Sequence, residues 1–77
     1  HGEIKDHVFF TSHVVMSGHC LIEPYTFIGV NATIRDGITI GEGSLIAMGA
    51  MVTKSTDDWG VYMGSPAKKG NKRSDEL

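Results

Sequence analysis

The 77-residue chain is poor in several things at once. It has one cysteine, Cys20, so no disulfide can close within it, which suits the reducing cytoplasm. Its net charge is only −2, from seven Lys and Arg against nine Asp and Glu. That excludes the strong positive field by which proteins hold nucleic acid or an anionic membrane. No apolar run approaches the roughly 20 residues of a membrane-spanning helix. No signal-peptide pattern is visible either. What is present, 40% apolar and 21% charged, is the composition of one small globular domain rather than of a disordered segment.

The informative feature is a period. From Ile4, steps of six give Phe10, Met16, Ile22, Ile28, Ile34, Ile40, Ile46 and Val52, nine apolar residues with no slip over residues 4–57. The fifth position of each hexad is small or β-branched: Val8, Val14, Cys20, Thr26, Ala32, Ile38, Ser44, Ala50 and Thr56. Glycines at 29, 37, 41, 43 and 49 take other slots, where the chain is expected to bend with positive φ. An α-helix cannot use this pattern, because six residues advance about 600° and carry each apolar residue 120° around the surface. A hairpin sheet needs a period of two. Short strands joined by tight corners fit instead. Three six-residue sides close a triangular coil of about 18 residues, and stacked coils pair strand on strand in parallel. The spacing predicts three vertical files: Ile4, Ile22 and Ile40; Phe10, Ile28 and Ile46; Met16, Ile34 and Val52. Three coils stand about 14 Å tall at roughly 4.8 Å per layer.

After Thr56 the register is expected to fail, at "DDWG". The chain then leaves the coil and returns in "VYMGSPAKK", 61–69, where Pro66 ends strand pairing. The last residues, "GNKRSDEL", are expected to be frayed or helical. The division is thus 1–57 coil and 58–77 extension. Because the chain starts without Met, inside the repeat, it is expected to be the C-terminal part of a longer enzyme.

The hexads "IGEGSL" at 40–45 and "IAMGAM" at 46–51 resemble those of the hexapeptide-repeat acyltransferases. The resemblance implies an all-β fold, a left-handed parallel β-helix; periodicity cannot give the hand, and the usual crossover preference is right-handed. Val61, Gly64, Pro66, Ala67 and Lys68 resemble the family's closing signature, which packs over the last coil beside the coenzyme A site. The implied activity is an acetyl-CoA-dependent acyltransferase working by direct attack in a ternary complex. The implied assembly is a homotrimer with sites between neighbours, for which outward Phe9, Val15, Leu21, Phe27, Leu45 and Met51 are available. The segment "HGEIKDHVFFTSHVVMSGHC" resembles nucleotide-sugar N-acetyltransferases and sialic-acid-type sugar O-acetyltransferases, implying a sugar or nucleotide-sugar acceptor and a cytoplasmic enzyme.

All four histidines, His1, His7, His13 and His19, share the fourth hexad position, so successive ones stand on successive sides and cannot meet within one chain. A neutral imidazole suits removal of the acceptor's proton near pH 7. The resemblance places the base one residue before His1, so His1 after a one-residue shift, or an upstream residue, would fill that role; a second family histidine maps onto Phe9. His13, at the corner stacked with Val30 and Met48, is the other candidate, and Asn31 is placed to orient it. By the same resemblance Val30 and Met48 line the pantetheine arm, Thr53 and Lys54 meet phosphate, Pro66 closes the site, and Lys68 or Lys69 serves the 3′-phosphate. Cys20 has a core slot and is a poor nucleophile. No metal is expected. A zinc lyase of the gamma carbonic anhydrase type is the first alternative, disfavoured because no His pair is five residues apart. A non-catalytic trimerising solenoid is the second.

Overall fold

Each hexad folds as a two-residue strand and a four-residue corner. In the computed structural model, which describes residues 3–76, nine such strands follow one another: β1 Glu3–Ile4, β2 Phe9–Phe10, β3 Val15–Met16, β4 Leu21–Ile22, β5 Phe27–Ile28, β6 Thr33–Ile34, β7 Thr39–Ile40, β8 Leu45–Ile46 and β9 Met51–Val52. They stack in parallel on three sides. Side 1 holds β1, β4 and β7; side 2 holds β2, β5 and β8; side 3 holds β3, β6 and β9. The register matches the expected files, with Ile4 on Ile22 on Ile40, Phe10 on Ile28 on Ile46, and Met16 on Ile34 on Val52. The result is a β-solenoid of about 18 residues per turn, consistent with the left-handed parallel β-helix that the resemblance implies.

The corners carry their own rule. The fourth hexad residue has positive φ at eight corners in succession: His7, His13, His19, Tyr25, Asn31, Gly37, Gly43 and Gly49, all between 60° and 76°. A left-handed residue costs about 1–2 kcal/mol when it is neither Gly nor Asn, and the lower coils accept that cost at three histidines and a tyrosine. Glycine therefore has two uses here, not the single one expected. At 37, 43 and 49 it permits the bend. Gly29 lies at the second position, where a Cβ would come within 2.6 Å of the Met48 backbone nitrogen in the coil above, so it permits close stacking.

The core is the prism axis. Ile22, Ile28, Ile34, Ile40, Ile46 and Val52 are sealed there, with Cys20, Thr26, Ala32, Ser44 and Ala50 filling the fifth positions. Within this stretch of chain Ile4 is 48% exposed, Phe10 is exposed and Met16 is half-buried, each having a described layer on one side of it.

The C-terminal end is closed. Strand β10, Gly60–Met63, returns to the coil and pairs in parallel with β8, Val61 on Leu45 and Tyr62 on Ile46. Sixteen residues separate Ile46 from Tyr62, two fewer than a full coil. The missing stretch is on side 1, where a fourth strand would lie. Side chains replace it: the N–H groups of Thr39, Gly41 and Glu42 donate to Ser55 Oγ, Thr56 Oγ1 and Asp58 Oδ1 at 2.9–3.0 Å. The tail, expected to be frayed or helical, is mostly a strand. Strand β11, Lys68–Arg73, lies antiparallel on β10, and only Ser74–Glu76 form a 3-10 turn. A polar strand suits this place because β10 offers unpaired backbone groups at an exposed edge, and pairing there requires no apolar burial.

Candidate active site

The corner between sides 2 and 3 gathers three of the predicted residues, His13, Val30 and Met48. Its floor is a backbone ladder. Asn31 N–H donates to the Ser12 carbonyl at 3.1 Å, and Gly49 N–H to the Val30 carbonyl at 2.7 Å. His13 stands in this column with φ 61°, exposed, one layer below Asn31. Among the described residues its ring has no hydrogen-bond partner, so Asn31 is stacked with it through the backbone without a side-chain hydrogen bond to it. Val30 and Met48 follow up the corner, with Met48 77% exposed. A side chain of that size holds such a position against water only at a cost in solvated apolar area.

The closing turn sits next to that corner, on Met51. Met51 N–H donates to the Gly64 carbonyl at 2.9 Å, and Ala67 N–H to the Met51 carbonyl at 2.7 Å. These bonds seat Gly64–Ala67, with exposed Pro66 and a cis Ser65–Pro66 peptide, over the last strand of side 3. Sequence reasoning did not single out Gly29 and Gly49, which complete the corner. The signal was available: Gly49 shares the hexad slot of His13 and Asn31, and a Cβ there would meet nothing within 4 Å.

Other predicted residues lie elsewhere. Thr53 and exposed Lys54 belong to the corner between sides 3 and 1, above Arg35 and Asp36, so one whole side separates them from Val30 and Met48. The two tail lysines divide. Lys69 pairs with Tyr62, whose side chain points into the coil, and its Nζ lies 3.1 Å from Asp57 Oδ2. Lys68 pairs with Met63 and shares its outward face. Lys69 therefore belongs to the closure of the coil, while Lys68 remains available to an anion. His1 lies outside the described residues.

His7, His13 and His19 stand on three successive corners, and no group of three metal-ligating side chains occurs among the described residues. The His7 ring is instead stacked on Tyr25, centroids 5.0 Å apart and planes within 7°. Phe9 takes the position of the second family histidine and stacks on Phe27 at 5.3 Å. Cys20 is buried, its Sγ donating to the Arg35 carbonyl at 3.0 Å, as its core slot implied. The described surface holds no enclosed cavity, as expected of a convex prism.

Residues 19–54 match the family model described as bacterial transferase hexapeptide (six repeats). Several solved structures share the whole fold. The N-acyltransferase AntD from Bacillus cereus, in complex with dTDP and 3-hydroxybutyryl-CoA, superposes with a TM-score of 0.88 at 23% identity, covering 97% of this chain and 53% of that one. Serine acetyltransferase from Brucella abortus strain S19 gives 0.88 at 28% identity, over 95% of this chain and 32% of that one. A variant of perosamine N-acetyltransferase from Caulobacter crescentus, in complex with CoA and GDP-perosamine, gives 0.58 at 16% identity, over 92% of this chain and 54% of that one. The chain thus spans about half the length of the two sugar-type transferases and a third of the serine enzyme. No curated protein matches.

Proposed function

We propose that this chain, built of the bacterial transferase hexapeptide repeat, is the coenzyme-binding part of an acyl-CoA-dependent acyltransferase that moves an acetyl group to an amine or hydroxyl of a sugar or nucleotide-sugar. One observation carries the proposal. The closing turn Gly64–Ala67 is seated by two backbone hydrogen bonds on Met51, the strand residue that follows a corner where the exposed residues include the apolar Val30 and Met48. A solenoid that only trimerises has no need of such an arrangement, and an extended pantetheine arm running parallel to the coil axis does. The structural likeness to AntD and perosamine N-acetyltransferase, whose complexes hold a coenzyme A species with a nucleotide or nucleotide-sugar, supports the same assignment.

In this mechanism the acceptor attacks the thioester carbonyl directly, within a ternary complex. The carbonyl carbon gains the acceptor nitrogen or oxygen and loses the coenzyme A thiolate. A histidine, His1 or His13, takes the acceptor's proton as the new bond forms. Backbone N–H groups stabilise the oxyanion of the tetrahedral intermediate. Lys54 and Lys68 neutralise phosphates as point charges. No metal takes part. The enzyme is a cytoplasmic homotrimer with its sites between neighbouring copies.

Calorimetric titration of the full-length protein with acetyl-CoA tests the core of this. Micromolar binding is the expected result, and no detectable binding would remove the proposal. Acetyl transfer to a panel of amino-sugar nucleotides and free sugars then identifies the acceptor.

A further inference from the structure

Three of the four methionines lie around the closing turn. Met48 stands at the corner next to it, Met51 on β9 makes both of the hydrogen bonds that seat it, and Met63 ends β10 immediately before Gly64. Met48 is 77% exposed, Met51 40% and Met63 51%. Among the described residues after Val30, no other large apolar side chain is exposed. The exposed apolar surface of the last coil and its closing hairpin is therefore made of thioethers.

A thioether differs from a leucine or isoleucine side chain in two ways. It is unbranched and polarisable, so it adapts to whatever lies against it. It is also open to oxidation by a peroxide. The sulfur lone pair forms a bond to one peroxide oxygen, the O–O bond breaks, and the proton on the transferred oxygen passes to the departing hydroxide. Sulfur is oxidised to the sulfoxide and hydrogen peroxide is reduced to water. The product side chain is polar and chiral. Exposure decides which sulfur reacts. Cys20 is buried and Met16 half-buried, whereas Met48 is the most exposed of the large apolar side chains.

We propose that Met48 is an oxidation site through which peroxide lowers the affinity of the protein for its coenzyme. This rests on the acyltransferase reading above, in which Val30 and Met48 line the pantetheine arm. The coil itself does not require a large apolar residue there: the same corner position elsewhere holds Asp6, Ser12, Asp36, Glu42 and Lys54. As a thioether, Met48 gives the arm an apolar neighbour. As a sulfoxide, it presents a hydrated oxygen that the arm must desolvate. The adjacent backbone donors are already committed, Gly49 N–H to the Val30 carbonyl at 2.7 Å and Ala50 N–H to the Ala47 carbonyl at 3.2 Å, so neither can receive that oxygen. Bound coenzyme in turn covers the sulfur and protects it. Methionine sulfoxide reductases, one for each epimer, return the thioether.

The test treats the full-length protein with hydrogen peroxide, with and without saturating acetyl-CoA, and follows the added oxygen at each methionine by peptide mass spectrometry. Met48 is expected to be oxidised in the free protein and to be protected when coenzyme is bound. Calorimetry then reads the Kd for acetyl-CoA, which is expected to rise about 10-fold on oxidation, the scale set by losing the burial of one apolar side chain. Both sulfoxide reductases together should restore it. Met48→Leu is compared only with itself, and its Kd is expected to be the same before and after peroxide. A Met48 that stays unoxidised, a wild-type Kd unmoved by complete oxidation of Met48, or a Met48→Leu protein that loses affinity as the wild type does would each overturn the proposal. Untreated wild-type protein that binds no acetyl-CoA removes the acyltransferase reading itself, so the two failures are distinguishable.

Discussion

The two ends of the coil stack are made from the same hexad and behave differently. At the upper end Tyr62 completes a file of isoleucines, its hydroxyl accepts the Asp57 N–H at 2.8 Å, and Ser44, Thr56 and Asp57 share a buried polar network. At the lower end Ile4, Phe10 and Met16 repeat the pattern of Ile40, Ile46 and Val52 yet are exposed or only half-buried. An apolar residue in a solenoid is stabilising only to the extent that layers lie on both sides of it. The candidate functions divide along the same axis. The histidines occupy the lower corners, whereas the lysines and the closing turn occupy the upper ones.

The sharpest break of that comparison is chemical. In the full-length enzyme His13→Ala is expected to lower kcat by about 10²–10⁴, the range for a lost general base. Lys68→Ala should raise the KM for acyl-CoA a few-fold with kcat kept. Steady-state kinetics measures both, and an unchanged kcat for His13→Ala moves the base to His1 or to a residue upstream of it.

Stability comes next. Ile34→Ala, in the sealed core, is expected to cost about 3–4 kcal/mol, and Ile4→Ala less than about 1 kcal/mol given its exposure. Urea unfolding of the 77-residue chain compares them, and equal costs would mean that exposure does not set the cost. Gly29→Ala is expected to lose about 1–3 kcal/mol by forcing the coils apart, while Gly37→Asn, at φ 76° with no neighbour within 4 Å, should be near neutral. Tyr62→Phe leaves the Asp57 N–H unpaired and should cost about 1–2 kcal/mol. Its lower-end counterpart, Thr11→Val, removes a 2.9 Å hydrogen bond to the Ile28 carbonyl in a wetter place and should cost less. Lys69→Ala is the smallest, under about 1 kcal/mol and lost in high salt, because its ion pair with Asp57 is largely exposed.

Much of this was legible in the sequence. The files Ile4–Ile22–Ile40 and their two companions followed from the period alone, since a six-residue side leaves one inward position per side. Cys20 and the other fifth-position residues went inward for the same reason. The tail was harder. The period breaks at Asp57 and Asp58, and nothing local says that side chains of Ser55, Thr56 and Asp58 will stand in for a strand and let Val61 and Tyr62 resume the stack two residues early. Nor does "GNKRSDEL" look like a strand. Its pairing is supplied by the exposed edge of β10, a partner set by the fold and not by the propensity of the segment.

The candidate site was legible by residue but not by place. Val30 and Met48 share one corner and Pro66 lies in the turn seated on Met51 beside it, whereas Thr53 and Lys54 lie a full side away, and Lys69 is engaged by Asp57 while Lys68 is not. The sequence by itself determined which residues point inward and which stand at corners, because a strict six-residue period ties each position to one place on the prism. Only the tertiary structure decided how the last coil is closed and that Lys69 rather than Lys68 reaches Asp57. Those depend on what lies in the next coil, about 18 residues away, and stacking neighbours at that distance are chosen by layer contact and not by the local chain.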